Sequence, residues 1–170
     1  HWQSRGLGDV YKRQVYGSLV NFEKYSVQGD ERPDQVAYDF YGDSALDWVI
    51  LTTNNIVHVR DEWPMGSQDF LTYLNQKYTA QELTNIHHYE TKVIRDSANN
   101  LIQPAGLYVD SAHSMTYVDR GVTTTKSEIT SVSFLQHETD ENDKKRNINI
   151  LKRELLDIFF RDIENIMVYK

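Results

Sequence analysis

Cysteine is absent from the 170 residues of the chain, which excludes disulfides and thiolate metal sites. No apolar run approaches the length of a membrane-spanning helix, and the start lacks the charged-then-apolar pattern of a secretory signal. Basic residues are also few, since 18 Lys and Arg stand against 25 Asp and Glu for a net charge of −7. Binding to a phosphate backbone needs a positive field that this composition lacks. We therefore expect a water-soluble chain that binds neither nucleic acid nor membrane.

Familiar catalytic and cofactor motifs are missing as well. The sequence has no GxGxxG, GxxxxGK or GxSxG pattern, and no serine or threonine has a recognisable base partner nearby. Beyond position 1, the histidines are His58, His87, His88, His113 and His137. Adjacent residues of a strand point to opposite faces, so we expect that His87 and His88 do not ligate one ion. We predict no metal site, no cofactor and no enzymatic activity.

The length suits one self-sustaining domain with room for a small satellite, because 39% of the residues are hydrophobic. Residues 1–14 end in DVYKRQ, which resembles the in-frame translation of a transposon end used in sequencing libraries. We interpret them as a non-native assembly scar. Residues 15–21 either dock on the following module or stay disordered. The rest divides into a module with its following helix (15–78), an irregular β region with a charged linker (79–146) and an amphipathic helix (147–170).

The stretch from Lys24 to Tyr78 organises the chain. Asp30 is predicted to cap a first helix that Gly42 ends, and Asp43 or Ser44 to cap a second helix immediately afterwards. Such a tight connection predicts a helical hairpin. The predicted inward side chains are Val36, Ala37 and Phe40 of the first helix and Ala45, Trp48, Val49 and Thr52 of the second. The flanking β-type runs Tyr25–Val27 and Ile56–Val59 are then predicted to pair beneath the two helices.

A third helix is predicted from a Ser67 cap to about Tyr78. Trp63, just before it, has two interpretations: it covers the end of the module core, which we favour, or it is an aromatic anchor for a partner.

The two helices of the hairpin carry a row of acidic residues, formed by Asp34, Asp39, Asp43 and Asp47. We interpret this row as helix caps and solvated faces rather than as an acid–base site.

The following region predicts a small, irregular antiparallel sheet. Thr79 and Glu82 have the spacing of a capping box, and Asn99–Asn100 marks a hairpin turn between β-like segments. The expected strands lie in the ranges 86–95, 101–109, 115–119 and 129–136. Short polar strands are marginal alone, so such a sheet gains from pairing with another chain. Residues 137–146 are predicted to be a solvated charged loop.

The C-terminal segment predicts the longest helix, starting at Asn147. Its predicted inner stripe is Ile148, Leu151, Leu155, Ile158, Phe159, Ile163 and Ile166. Ile150, Leu156, Phe160 and Met167 widen the apolar surface beyond one core contact, which implies a second partner, either the module or another protein. The candidate partner contacts are Trp63, Tyr73, Leu156, Phe160 and Met167.

Two groups of residues in the chain each resemble a known kind of protein. One resemblance rests on Tyr25, Val27, Gly29, Asp30, Val36, Ala37, Tyr41, Gly42, Asp43, Trp48 and Asn54, which look like a LysM-type module, a pattern met in cell-wall glycan binders. The other rests on RPDQVAYDFYGDSALDWV (32–49), NNIVHVRDEWPM (54–65), Phe70, Tyr73, Lys77 and Tyr78, and KRNINILKRELLDIFFRDIENIM (145–167). Together these segments resemble the baseplate wedge proteins of contractile-tailed, T-even-like bacteriophages.

The second resemblance implies a structural protein of the virion tail baseplate, assembled in the host cytoplasm. Its implied partners are other baseplate wedge proteins, which it would link around the hub in multiple copies of a six-fold baseplate. The predicted fold class is α+β: a LysM-like strand–helix–helix–strand module, a third helix, a small irregular antiparallel sheet and a long C-terminal helix. The alternative function is a LysM-type peptidoglycan-binding module, although Glu31, Arg32 and Pro33 depart from the usual loop of such binders.

Overall fold

The computed structural model describes residues 21–168, apart from the side chains of Ile166 and Met167. The segment 15–20, whose docking was left open, and the scar interpretation of residues 1–14 lie outside this range. The chain folds as two compact units. One, here called the terminal unit, comprises His1–Leu71 and Asn142–Lys170, and the other, here called the inserted unit, comprises Thr72–Glu141.

Helices and short antiparallel strands both occur, which confirms the α+β class. In chain order the elements are β1 (Phe22–Ser26), α1 (Pro33–Tyr41), a 3-10 turn (Ser44–Leu46), α2 (Asp47–Thr53), α3 (Val59–Glu62), α4 (Ser67–Lys77), α5 (Ala80–Thr84), β2 (Ile86–Thr91), β3 (Ile94–Arg95), β4 (Leu101–Gln103), β5 (Tyr108–Val109), β6 (Met115–Asp119), β7 (Val122–Lys126), β8 (Ile129–Ser133), α6 (Phe134–Lys145), β9 (Asn147–Leu151), a 3-10 turn (Arg153–Leu155) and α7 (Leu156–Val168). Helices α4 and α6 each run across the division between the two units.

In the terminal unit, β1 pairs antiparallel with β9, with Tyr25 opposite Ile148. The prediction that Ile56–Val59 supplies this partner strand is therefore wrong, as is a helix beginning at Asn147. The backbone N–H groups of Val57 and of the next residue donate to the Glu62 carboxylate, at 2.6 and 3.1 Å, so this segment turns into α3 instead. The strand that pairs with β1 comes from the C-terminal part of the chain, and the module is therefore not contiguous in sequence as predicted.

The helical hairpin forms largely as predicted. Gly42 ends α1 with a φ of 78°, a left-handed conformation that glycine adopts without steric cost, and its N–H donates to Tyr38 O. Asp43 caps the following 3-10 turn, where its carboxylate accepts from Ala45 N at 2.9 Å. The inner face of α2 differs from the prediction, because Val49, Ile50 and Thr53 are buried there. Inserting a 3-10 turn before α2 rotates that helix relative to a continuous helical pattern.

The predicted caps at Asp30 and Ser67 have different roles in the structure. Arg32 occupies the N-cap position of α1, where its N–H donates to Gln35 Oε1 at 2.9 Å. Asp30 instead accepts from Ser67 N at 3.0 Å, at the first residue of α4. A side chain distant in sequence thus satisfies an amide at a helix start, a contact that a local sequence pattern cannot reveal.

The core of the terminal unit lies between the β1–β9 pair and the helices. Its buried members are Val27, Val36, Ala37, Tyr41, Val49, Ile50, Trp63, Ile148, Ile150, Leu151, Leu156 and Phe159. The Tyr41 hydroxyl donates to Leu151 O at 2.9 Å, and burial raises the pKa of this phenol well above its usual value. Helix α1 is thereby attached directly to the backbone of β9.

Residues 137–146, predicted to be a loop, belong to α6 for all but the last position. No proline or glycine interrupts them. Gln136 Nε2 donates to Asp140 Oδ1 at 2.7 Å, one turn further along. Lys144 and Lys145 end the helix, where positive charge is favourable. The order of charges along these residues, acidic and then basic, therefore suits a helix as well as a solvated loop.

The inserted unit contains three small antiparallel sheets, with orders β5-β2-β8, β3-β4 and β6-β7. The prediction of short, irregular antiparallel strands is thus confirmed, but the strands form three separate sheets instead of one. The hairpin turn at Asn99, with φ 66°, and the capping box of Thr79 and Glu82 are both confirmed. Buried side chains replace part of the strand ladder: Thr91 Oγ1 donates to Pro104 O at 2.7 Å, and Gln103 Nε2 to Lys92 O at 3.0 Å.

Candidate functional site

Two of the five candidate partner contacts lie in the core of the terminal unit. Trp63 is 6% exposed, and its indole N–H donates to Glu31 O at 2.8 Å. The favoured interpretation of Trp63 as a core residue is confirmed. Leu156 is 8% exposed and belongs to the same core. Neither side chain presents much surface, and a role in partner contact stays a prediction for both.

The other three candidates are differently placed. Phe160 is partly buried against the core, with its ring centroid 5.9 Å from that of Trp48. Tyr73 is partly buried in the inserted unit, where its hydroxyl donates to Glu138 at 3.0 Å. The side chain of Met167 lies outside the described residues. On α7 the side chain of Ile158, predicted to face inward, is 52% exposed. The misplaced helix start explains this error, since a strand at 147–151 changes the helical phase that follows.

The acidic residues of the first helices do not converge on one point. Glu31, Asp34 and Asp39 line an open groove with Gln35, Tyr38 and Ser44. Two of these groups have structural roles: Asp34 pairs with Arg32 at 3.1 Å, and Glu31 accepts from the Tyr25 hydroxyl at 2.8 Å. Partial burial and this bond to Glu31 raise the pKa of Tyr25 to about 12. Two of the three acidic groups of the groove are therefore engaged in structural contacts.

A polar cluster lies between α4 and α6 of the inserted unit. The Glu138 carboxylate accepts from Lys77 Nζ and Tyr78 Oη, both at 2.7 Å, and from Tyr73 Oη at 3.0 Å. Burial alone would raise the pKa of Glu138, but the hydrogen bonds from Lys77, Tyr78 and Tyr73 outweigh it and hold that pKa below its usual value. The same bonds to Glu138 and Tyr73 raise the pKa of Lys77. Lys77 and Glu138 therefore form a charged pair between α4 and α6.

Next to this cluster, three histidines come together. The ligand nitrogens of His87, His88 and His137 all lie within 4.8 Å of one another. The expectation that His87 and His88 point to opposite faces of the strand is wrong, because their Nδ1 atoms are 2.7 Å apart. A register shift in β2 between Ile86 and His88 makes His87 an extra residue against β8, and such a bulge re-aims its side chain. Partial desolvation, and then the proximity of His137 and His88, lower the pKa of His87.

The chain matches the model of a protein family described as base plate wedge protein 53, over residues 4–166. This match covers nearly the whole chain. The chain belongs to the base plate wedge protein 53 family. A comparison with curated proteins finds no match.

As a base plate wedge protein, the chain is a structural component of the phage tail baseplate that assembles with other baseplate proteins. The resemblance to baseplate wedge proteins is thus confirmed. The match runs through both units, so the inserted unit belongs to the family pattern as much as the terminal unit does. It begins at residue 4, inside the segment interpreted as a scar, and that interpretation stays a prediction. The peptidoglycan-binding alternative gains no support from the comparisons.

No helix between residues 21 and 168 combines the length and the apolarity that crossing a bilayer requires.

Proposed function

We propose that this base plate wedge protein joins neighbouring wedge subunits around the central hub, without catalysis, by using its two units to contact different neighbours. The observation that carries the proposal is the division of the chain into two compact units within one family match. A linking protein needs at least two separate contact surfaces. Each unit has an exposed surface that we assign to one of these contacts.

On the inserted unit, the surface is the β6–β7 hairpin. The pairing of Thr116 with Thr125 and of Val118 with Thr123 places these four exposed side chains on one face. Val118 is 65% exposed. Within the described residues β6 and β7 pair only with each other, and a two-stranded ribbon is marginal alone. We propose that a strand of another wedge protein adds to this hairpin, since backbone pairing at an open edge is a common mode of recognition.

On the terminal unit, the surface is the exposed side of α7. Ile158 is half exposed there, while Leu156 and Phe159 of the same helix are buried in the core. Phe160, a candidate from the sequence, is partly buried beside them. We propose that this side of α7 packs against a second wedge protein. Covering the exposed half of Ile158 would contribute roughly 1–1.5 kcal/mol, about half of the value for burying a whole side chain.

The test is co-purification of the chain with other purified baseplate wedge proteins of the same phage. Val118→Asp should abolish capture of one neighbour, and Ile158→Asp should abolish capture of a different one. Val93→Asp changes a similarly exposed valine outside both surfaces and is the matched control. Loss of the same neighbour in both variants would contradict two separate contacts. Capture of every neighbour by both variants would overturn both surfaces.

A further inference from the structure

We propose that His87, His88 and His137 form a binding site for a divalent transition-metal ion of the Zn²⁺ type. Three imidazoles on two elements converge, with their ligand nitrogens within 4.8 Å of one another. Imidazole nitrogen is a preferred ligand of Zn²⁺, whereas Mg²⁺ and Ca²⁺ prefer oxygen. Nothing in the baseplate role of the family requires this site.

The fold positions the three rings from both sides. His87 and His88 are brought to one side of β2 by the bulge opposite β8. His137 lies in the first turns of α6, directly after β8, and its ring stacks on that of His87 with centroids 4.0 Å apart and planes 8° apart. Phe134 also packs edge-on against His87, with ring centroids 4.8 Å apart. The rings are therefore held in place by strand register and by packing.

Glu90 supports the site from outside. Its Oε1 lies 2.9 Å from His88 Nε2, so the ring donates its Nε2–H to the carboxylate and leaves the His88 Nδ1 lone pair directed at His87. A carboxylate bonded to the far nitrogen of a ligating histidine fixes the tautomer and raises the basicity of the ligand. Glu90 is a positioning residue in this arrangement, since it does not reach the ion itself.

Binding requires the rings to reorient, because the lone pairs of two parallel stacked rings do not meet at one point. Two nitrogens about 2.0–2.1 Å from a tetrahedral ion are roughly 3.3 Å apart, so the 2.7 Å between the two Nδ1 atoms must widen slightly. The stacked His137 ring must tilt toward the ion. His87 is exposed, which gives the ion a path from solvent and leaves a fourth position for water. A bound ion would cross-link β2 to α6 within the inserted unit.

The test is calorimetric titration of the full chain with ZnCl₂, with MgCl₂ as the comparison ion. The wild-type chain should bind one Zn²⁺ and no Mg²⁺, and Zn²⁺ should raise its thermal unfolding temperature reversibly with EDTA. Titration with CoCl₂ should give the visible absorption of a tetrahedral ion. His137→Asn and His88→Asn should each weaken binding about tenfold or more, and Glu90→Gln should weaken it about 10–100-fold.

His58→Asn removes an exposed histidine of the terminal unit and is the matched control, with binding expected to equal that of wild type. Circular dichroism of each variant distinguishes loss of the site from loss of folding. Absence of Zn²⁺ binding by the wild-type chain would show that the rings form a packing cluster only. Unchanged affinity in His137→Asn and His88→Asn would equally overturn the site.

Discussion

At the scale of single residues, side chains complete the backbone hydrogen bonding of the terminal unit. Asn54 is the clearest case, because its amide pairs with one backbone residue of β9 in both directions. Its Nδ2 donates to Asn149 O at 2.8 Å, and its Oδ1 accepts from Asn149 N at 2.8 Å. The side chain thus takes the place of a neighbouring strand on the side of β9 away from β1. It also donates to Ile50 O, which attaches it to α2.

We expect Asn54→Ala to lower the free energy of unfolding by about 1–3 kcal/mol, because it leaves the Asn149 N–H and C=O without these bonds. Urea denaturation followed by circular dichroism measures this change. Asn75→Ala, at an exposed position of α4, is the control and should stay within about 0.5 kcal/mol of wild type. An Asn54→Ala chain as stable as the control would show that the amide is dispensable.

The Glu138 carboxylate makes a prediction about pH. Its folded-state pKa lies below the ordinary value of 4.5, so its contribution to stability is fully present above that value and is lost as pH falls through the folded pKa. Glu138→Gln should cost about 1.5–3 kcal/mol at pH 7, since the neutral amide lacks the charge that pairs with Lys77 and has one acceptor oxygen in place of two. Below the folded pKa the two proteins should become nearly equally stable.

Urea denaturation at pH 7 and at a series of acid pH values measures this difference. Glu128→Gln replaces an exposed carboxylate and should match the wild-type chain throughout. A gap between Glu138→Gln and wild type that stays constant down to strongly acid pH would mean that charge is not its origin.

At the scale of the elements, the start of α4 depends on a close approach between Gly66 and Asp30. A Cβ added at Gly66 would lie 2.3 Å from Asp30 Oδ1, the atom that accepts from Ser67 N. We expect Gly66→Ala to displace Asp30 and to cost about 1–2 kcal/mol, as the loss of a helix cap does.

The cap also predicts non-additivity. In an Asp30→Ala background the carboxylate is already absent, so Gly66→Ala should cost much less than it does in the wild-type chain. A double-mutant cycle measured by urea denaturation provides the comparison. Equal costs in the two backgrounds would show that Gly66→Ala does not act through the Asp30 carboxylate.

Local patterns predicted the elements whose causes are local. Gly42, Asp43, and the Thr79–Glu82 box act through bonds within a few residues, and each is found at its predicted position. The failures share a different cause. The partner of β1, the cap supplied by Asp30 and the bulge that turns His87 toward His88 all depend on residues distant in sequence. The histidine cluster was missed because strand alternation holds only where the register is regular.

At the scale of the whole molecule, the inserted unit interrupts the terminal unit from within α4 to within α6. The two ends of the interruption are held near each other within the terminal unit. Met65 N donates to Asn142 Oδ1 at 2.8 Å, Asn142 Nδ2 donates to Met65 O at 3.1 Å, and Arg146 Nη2 also donates to Met65 O. The core of the terminal unit depends on both flanking segments, because Ile148, Ile150 and Leu151 follow the interruption.

We therefore expect the terminal unit to fold without the inserted unit. Replacing residues 72–141 by a flexible Gly/Ser linker of about eight residues should reconnect the two segments of the terminal unit and leave a chain that unfolds cooperatively in urea. A chain ending at Glu141 is the contrasting variant, and it should fail to fold because it lacks β9 and α7. Absence of a cooperative transition in the linker variant would mean that the inserted unit supplies stability which the contacts of the terminal unit do not account for. If the linker variant folds, it should also keep the neighbour bound through α7 and lose the one bound through the β6–β7 hairpin.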